Sequence, residues 1–198
     1  MMLTELTSVL STAVPVAEFR DHLRLGRGFA DDGSQDAILE SFLRAAVAAI
    51  EARIGKVLIR RDFLWSIGRW REPEAQALPV APVVALSEVR IVDGLGAAHV
   101  VDPAAYRLVQ DALRPQIAAA GTALPHVPAG GSVELVFRAG YGDTWPEVPL
   151  DLSQAVFLLA AHYYEHRAEA EGGGAAMPFG VMALIEHYRT VRVIGGAR

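Results

Sequence analysis

The sequence predicts an α+β fold: a helical bundle formed by the N- and C-terminal helices, with an antiparallel β-sheet or small sandwich inserted at about 57–140. Three observations predict it. Apolar residues recur at helical spacing over 36–54 and again after Pro149. Between those stretches the apolar period drops to two. The period-two runs are short and separated by Pro and Gly, as in antiparallel sheets.

A short helix is expected at 16–25, with Pro15 suited to its first turn and Phe19, Leu23 and Val16 on one face. A Gly- and Asp-rich loop follows at 26–33. Ser34 is placed as the N-cap of the next helix, and Asp36 adds negative charge to its first turn. That helix, 36–54, carries Ile38, Leu39, Phe42, Leu43, Ala46, Val47, Ala49, Ile50 and Ile54, leaving Glu40, Arg44 and Glu51 as a narrow polar stripe. Glu40 and Arg44 are four apart and placed to pair. Gly55 closes the helix.

Strand period begins at Phe63, Trp65 and Ile67, and Pro73, Pro79 and Pro82 then break the chain. Strands are expected at 83–92, 98–101, 106–110, 114–118 and 133–137, with a tight turn at Asp93-Gly94. Helix returns after Pro149, where Asp151 and Gln154 have the spacing of a capping box and Leu152, Ala155, Val156, Leu158, Leu159 and His162 continue the face. A flexible link over 171–177 contains Gly172-Gly173-Gly174. A last helix spans 179–188, and the tail 191–198 is apolar and then Gly-rich.

The chain has 198 residues, of which 52% are apolar and 21% charged, so it forms one domain, or one domain with an insertion, and is not disordered. With no cysteine, disulfides, thiolate metal sites and cysteine nucleophiles are excluded. The net charge of −5 and a single lysine, Lys56, argue against a protein that grips nucleic acid by its phosphates. No signal peptide is visible and no run reaches the roughly 18 apolar residues that span a bilayer, so the expectation is a cytoplasmic protein without a membrane partner.

One motif invites an enzymatic reading. His162-Tyr163-Tyr164-Glu165-His166 matches H-x-x-E-H, which puts two imidazoles four apart on one helical face, the spacing of a metal-dependent hydrolase. Such a site needs a third ligand, and only Glu169, Glu171 and Glu186 follow closely; a packed or dipole-facing pair of histidines is the simpler reading. Gly94-Leu95-Gly96 and Gly140-Tyr141-Gly142 do not complete G-x-G-x-x-G, so they read as turn glycines. Trp65, Trp70 and Trp145 could stack on bases, but core packing explains them better in an acidic chain. No cofactor and no metal is expected.

What stands out is apolar surface. The helices at 36–54 and 151–168 are greasier than a two-sided domain requires, so a neighbouring copy is expected to cover part of them. The segment after the glycine link reads as an arm held by another chain.

The residues then resemble a family. Phe19 with His22-Leu23-Arg24, Asp36-Ala37-Ile38-Leu39, Ala45-Ala46, Glu51 and Gly55-Lys56 come first. Leu78-Pro79-Val80-Ala81-Pro82-Val83, Val89, Tyr106 and Val133 to Phe137 come next, running into Ala139-Gly140-Tyr141-Gly142 and Val148-Pro149. His162-Tyr163-Tyr164-Glu165-His166-Arg167, Met177-Pro178-Phe179-Gly180-Val181, Leu184 and Tyr188-Arg189 close the series. In this order they resemble the head–tail connector (adaptor) family of long-tailed phages and gene transfer agents. The resemblance implies a structural protein and not an enzyme. It implies a homo-oligomeric ring, twelve-fold in the family, beneath the portal protein in the particle neck. The ring extends a channel through which DNA passes without sequence-specific binding, and it offers a platform to the tail-proximal neck or stopper protein. It also implies a portal or subunit interface in the C-terminal part: Phe179, Val181, Leu184, Tyr188 and Arg189, with Val191 and Val193 in the tail.

Overall fold

The structure, a computed structural model, describes residues 1–24, 35–167 and 177–189. The fold is mixed α+β, with four α-helices and two antiparallel sheets among the described residues. The chain divides into two compact units: Met1–Val9 with Lys56–Thr144, and Leu10–Gly55 with Trp145–Arg198. The first holds all the strands and the second all the α-helices.

The sheet unit opens with β1 (Met2–Glu5), a strand that apolar periodicity does not predict. β1 lies at the edge of a five-stranded sheet of order β1-β2-β8-β4-β5, with β2 at Arg61–Ile67, β4 at Val83–Val92, β5 at Ala98–Val100 and β8 at Ser132–Ala139. A second, three-stranded sheet has the order β3-β7-β6, with β3 at Ala75–Ala77, β6 at Tyr106–Val109 and β7 at Gln116–Ala119. The alternation in β2 works as expected: Phe63, Trp65 and Ile67 are buried and meet Phe137, Leu135 and Val133 of β8 in register. The Phe63 and Phe137 rings stack with centroids 5.7 Å apart. Val89 and Ile91 of β4 and Ile117 and Ala119 of β7 join the same cluster, so both sheets feed one apolar core. β3 is invisible to periodicity because Ala75-Gln76-Ala77 carries no apolar alternation; Gln76 is buried and its side-chain carbonyl accepts from the Arg71 N–H.

Both glycine pairs are structural. At Gly140 φ is +137°, and a Cβ there would sit 2.5 Å from Arg60 Cα. The contact is tight because the chain runs alongside 58–60: the Arg60 N–H donates to Gly142 O at 2.8 Å and the Tyr141 N–H to Leu58 O at 3.1 Å. Gly94 and Gly96 lie in the β4–β5 turn, where the Asp93 carboxylate accepts the N–H groups of Leu95 and Ala97, each at 2.9 Å. Those backbone donors hold the Asp93 carboxyl below the usual carboxylate range.

In the helical unit, α1 (Val16–His22) ends three residues before the expected boundary, because Arg24 adopts φ +54°. α2 (Asp36–Ile54) has the predicted bounds. Ser34 lies outside the described residues, and Asp36 pairs with Arg20. Leu39, Leu43, Ala46, Ile50 and Ile54 recur three or four apart and are buried. Gly55 stops the helix at φ +68°, its N–H donating to Glu51 O. Glu51 corrects the polar-stripe expectation, since it is buried. Glu40 and Arg44 do pair, and Ser11 adds a hydrogen bond to Glu40; together they hold the Glu40 carboxyl below its ordinary range.

α3 (Leu150–Glu165) packs against α2 and buries Leu152, Ala155, Val156, Leu159 and Ala160. The expected capping box does not form: Pro149 holds the cap position without a side-chain hydrogen bond, and Asp151 turns to other partners. The expected link at 171–177 lies outside the described residues except for Met177. α4 (Phe179–Ile185) follows and closes in a single 3₁₀ turn, Glu186–Tyr188.

Candidate assembly surface

Two Pro-led helix starts shape the surface of interest. Pro149 precedes α3 and Pro178 precedes α4, each in an extended backbone conformation that admits a helix at the next residue. Both first residues are large and apolar, and both stand in solvent: Leu150 is 84% exposed and Phe179 88%. Neither lies on its helix's buried face.

α4 docks on α3 through the opposite side. Val181 and Ile185, one helical turn apart, are both 0% exposed. The predicted interface therefore splits. Phe179 and Arg189 are exposed, and Leu184 and Tyr188 are half-buried. Val181 differs from the other four: its side chain is buried in the unit's own core. Val191 and Val193 lie outside the described residues.

A polar cluster ties the end of α4 to the start of α3. The Tyr188 hydroxyl donates to Asp151 Oδ1 at 2.7 Å, and the Leu152 N–H donates to the same oxygen at 2.9 Å. His187 Nε2 lies 3.1 Å from Asp151 Oδ2. Arg189 pairs with Glu186 at 2.7 Å. Sequence reasoning misses Asp151 in this role, because its position within the first turn is already explained by capping. It also misses Leu150, though an apolar residue off the 152/155/156/159 face is a visible signal.

Of the candidate third ligands to the histidine motif, Glu169 and Glu171 lie outside the described residues. His162 and His166 stand with ring centroids 4.2 Å apart, and His166 Nδ1 lies 2.9 Å from His162 O, a contact that ties up that nitrogen. Glu165 is exposed. Among the described residues there is no group of three or more His, Asp or Glu placed to hold a metal ion. The tryptophans are packed: Trp65 is buried in the sheet core, the Trp70 Nε1–H donates to Pro125 O at 2.8 Å, and Trp145 stacks on Phe157 at 5.6 Å. No described helix is long and apolar enough to cross a membrane.

No protein-family model matches this chain, and no curated protein does. Solved structures do. A chain in the neck of an empty gene transfer agent particle, computed with C6 symmetry, superposes with a TM-score of 0.90 at 57% identity, covering 99% of both chains. A chain in the virion of a native gene transfer agent particle gives 0.87 at 58%, again with 99% of both covered. A chain in the neck of a native particle, computed with C12 symmetry, gives 0.85 at 54% and the same coverage. Identity at this level over the whole length extends well beyond a shared fold, and the resemblance drawn from residue order points the same way. The chain belongs to the head–tail adaptor family found in the necks of gene transfer agent particles.

Proposed function

We propose that copies of this chain form a ring beneath the portal protein and join capsid to tail. The ring extends the DNA channel and presents a platform to the tail-proximal neck or stopper protein. The observation that carries this reading is the full-length likeness to neck chains of particles solved with C6 and C12 symmetry. A rotational ring needs two different, complementary faces on each copy, closing head to tail. In this reading the helical unit, built from both ends of the sequence, is the body of the adaptor and the sheet unit is its insertion. The protein is assembled in the cytoplasm and has no catalytic role. With a net charge of −5, the ring lets DNA pass without holding its phosphates.

The portal-facing surface is assigned to Phe179, Leu184, Tyr188 and Arg189, continuing into Val191 and Val193. The exposure of Phe179 is its main support, since a solvent-facing aromatic next to a polar rim is the usual anchor of an interface. The test is sedimentation of the full chain alone and with the particle's portal protein. Co-migration with portal is expected. Migration with a tail-side neck protein instead would move the chain to another level of the neck, and binding to neither would remove the adaptor reading.

A further inference from the structure

We infer that Asp151 is a positioning residue for partner capture: its carboxylate clasps the turn after α4 and sets the placement of Tyr188 and Arg189 before any partner arrives. This rests on the portal-facing assignment above.

Three donors converge on this one side chain from two directions. Leu152 N–H comes from within α3, at 2.9 Å. Tyr188 Oη and His187 Nε2 come from the 3₁₀ turn, at 2.7 and 3.1 Å, and take one carboxylate oxygen each. The two aromatic rings lie 4.0 Å apart, so they reach the carboxylate as a pair. The Arg189 N–H donates back to Glu186 O at 3.2 Å, and its guanidinium pairs with the Glu186 carboxylate. Every residue of Glu186–Arg189 is thereby tied down.

Such a turn does not need that much holding to stay folded. Val181 and Ile185 already anchor α4 by burial, and both precede the turn. None of Glu186–Arg189 is buried, so the clasp adds little packing. What it fixes is the placement of Tyr188 and Arg189, two residues of the proposed portal-facing surface. A segment ordered before binding spares the partner the entropy of ordering it, which appears directly as affinity. Half-buried hydrogen bonds to a carboxylate are strong enough to set such a placement.

The experiment uses the full chain and the portal protein, with Asp151→Ala, Tyr188→Phe and Asp151→Glu. Hydrogen exchange reports the clasp, thermal melting reports the core, and portal affinity reports function. Tyr188→Phe is expected to speed exchange in 186–189 and weaken portal binding by about tenfold, and Asp151→Ala by roughly ten- to hundredfold. In both, exchange in α2 stays unchanged. Asp151→Glu restores part of the affinity. Faster exchange at 186–189 with portal affinity unchanged would overturn the inference. So would an affinity loss matched by unfolding of the whole helical unit. If the wild-type chain itself fails to bind portal, the fault lies in the adaptor reading and not in the clasp.

Discussion

Within one seven-residue helix the structure separates side chains packed in the unit's interior from side chains left in solvent, and that separation is measurable. Ile185 is 0% exposed against α3, whereas Phe179, at the start of the same helix, is 88% exposed. Ile185→Ala removes a buried branched side chain and leaves a cavity that the packed helices fill only in part, which costs about 2–5 kcal/mol. For a chain of this size each kcal/mol shifts Tm by roughly 2–4 °C, so the melt of the helical unit is expected to fall by about 4–20 °C. Phe179→Ala removes a larger side chain that touches little, so its effect is within about 0.5 kcal/mol and about 2 °C. Portal binding reverses the order: Phe179→Ala weakens it in a protein that melts normally. Far-UV circular dichroism melts with a co-sedimentation titration cover both readouts. If Ile185→Ala melted like wild type, α4 would not be packed on α3 in solution, and the residues after 177 would be the arm held by another chain that the sequence suggests.

Other perturbations test other parts. A chain ending after Arg189 is expected to melt like the full chain and lose portal binding, whereas one ending after 176 is expected to melt lower, because it lacks Val181 and Ile185. Gly140→Ala places a Cβ 2.5 Å from Arg60 Cα at φ +137°, so a loss of at least about 3 kcal/mol is expected in urea unfolding. Gly55→Ala, with φ +68° and nothing within 4 Å, costs only about 1–2 kcal/mol. Lys56 is 1% exposed, and burial holds its ammonium below the ordinary value of 10.5, an effect Asp111 opposes. The unfolded chain therefore binds that proton more tightly than the folded one, and the Lys56 contribution to stability rises as pH climbs toward 10.5. The stability difference between wild type and Lys56→Met should change with pH over that range, in the direction that favours wild type as pH rises; a flat difference would show that Lys56 is not held in a desolvated site.

What is legible in the sequence depends on period and punctuation. The nineteen residues of α2 are bounded correctly because Gly55 ends the apolar spacing with a residue suited to left-handed backbone. β2 and β8 are visible because one face of each is buried and the other is not, and β4 because the same alternation holds over Val89 and Ile91. β1 and β3 are not, for opposite reasons: every residue of β1 is exposed, and β3 buries a glutamine between alanines. Neither leaves an apolar alternation to read. In the C-terminal segment the sequence locates a helix from Phe179 but groups Val181 with Phe179, which the structure places on different faces. Periodicity names the apolar positions; only the packed partner, α3, decides which of them are used up. Asp151 reads as a cap because sequence spacing favours local partners, while Tyr188 lies 37 residues away.

The division into two units has a consequence for how the chain is made. The polypeptide passes between them three times, after Val9, after Gly55 and after Thr144. The five-stranded sheet needs Met2–Glu5 at one edge and Ser132–Ala139 near its centre, and the helical unit needs α2 and α3, which lie on either side of that whole stretch. On the ribosome neither unit can finish before most of the protein has emerged, so maturation is late and nearly simultaneous for both. A single proteolytic nick at one of the three crossings would likewise release neither unit, because each remains stitched together from separate pieces of the chain.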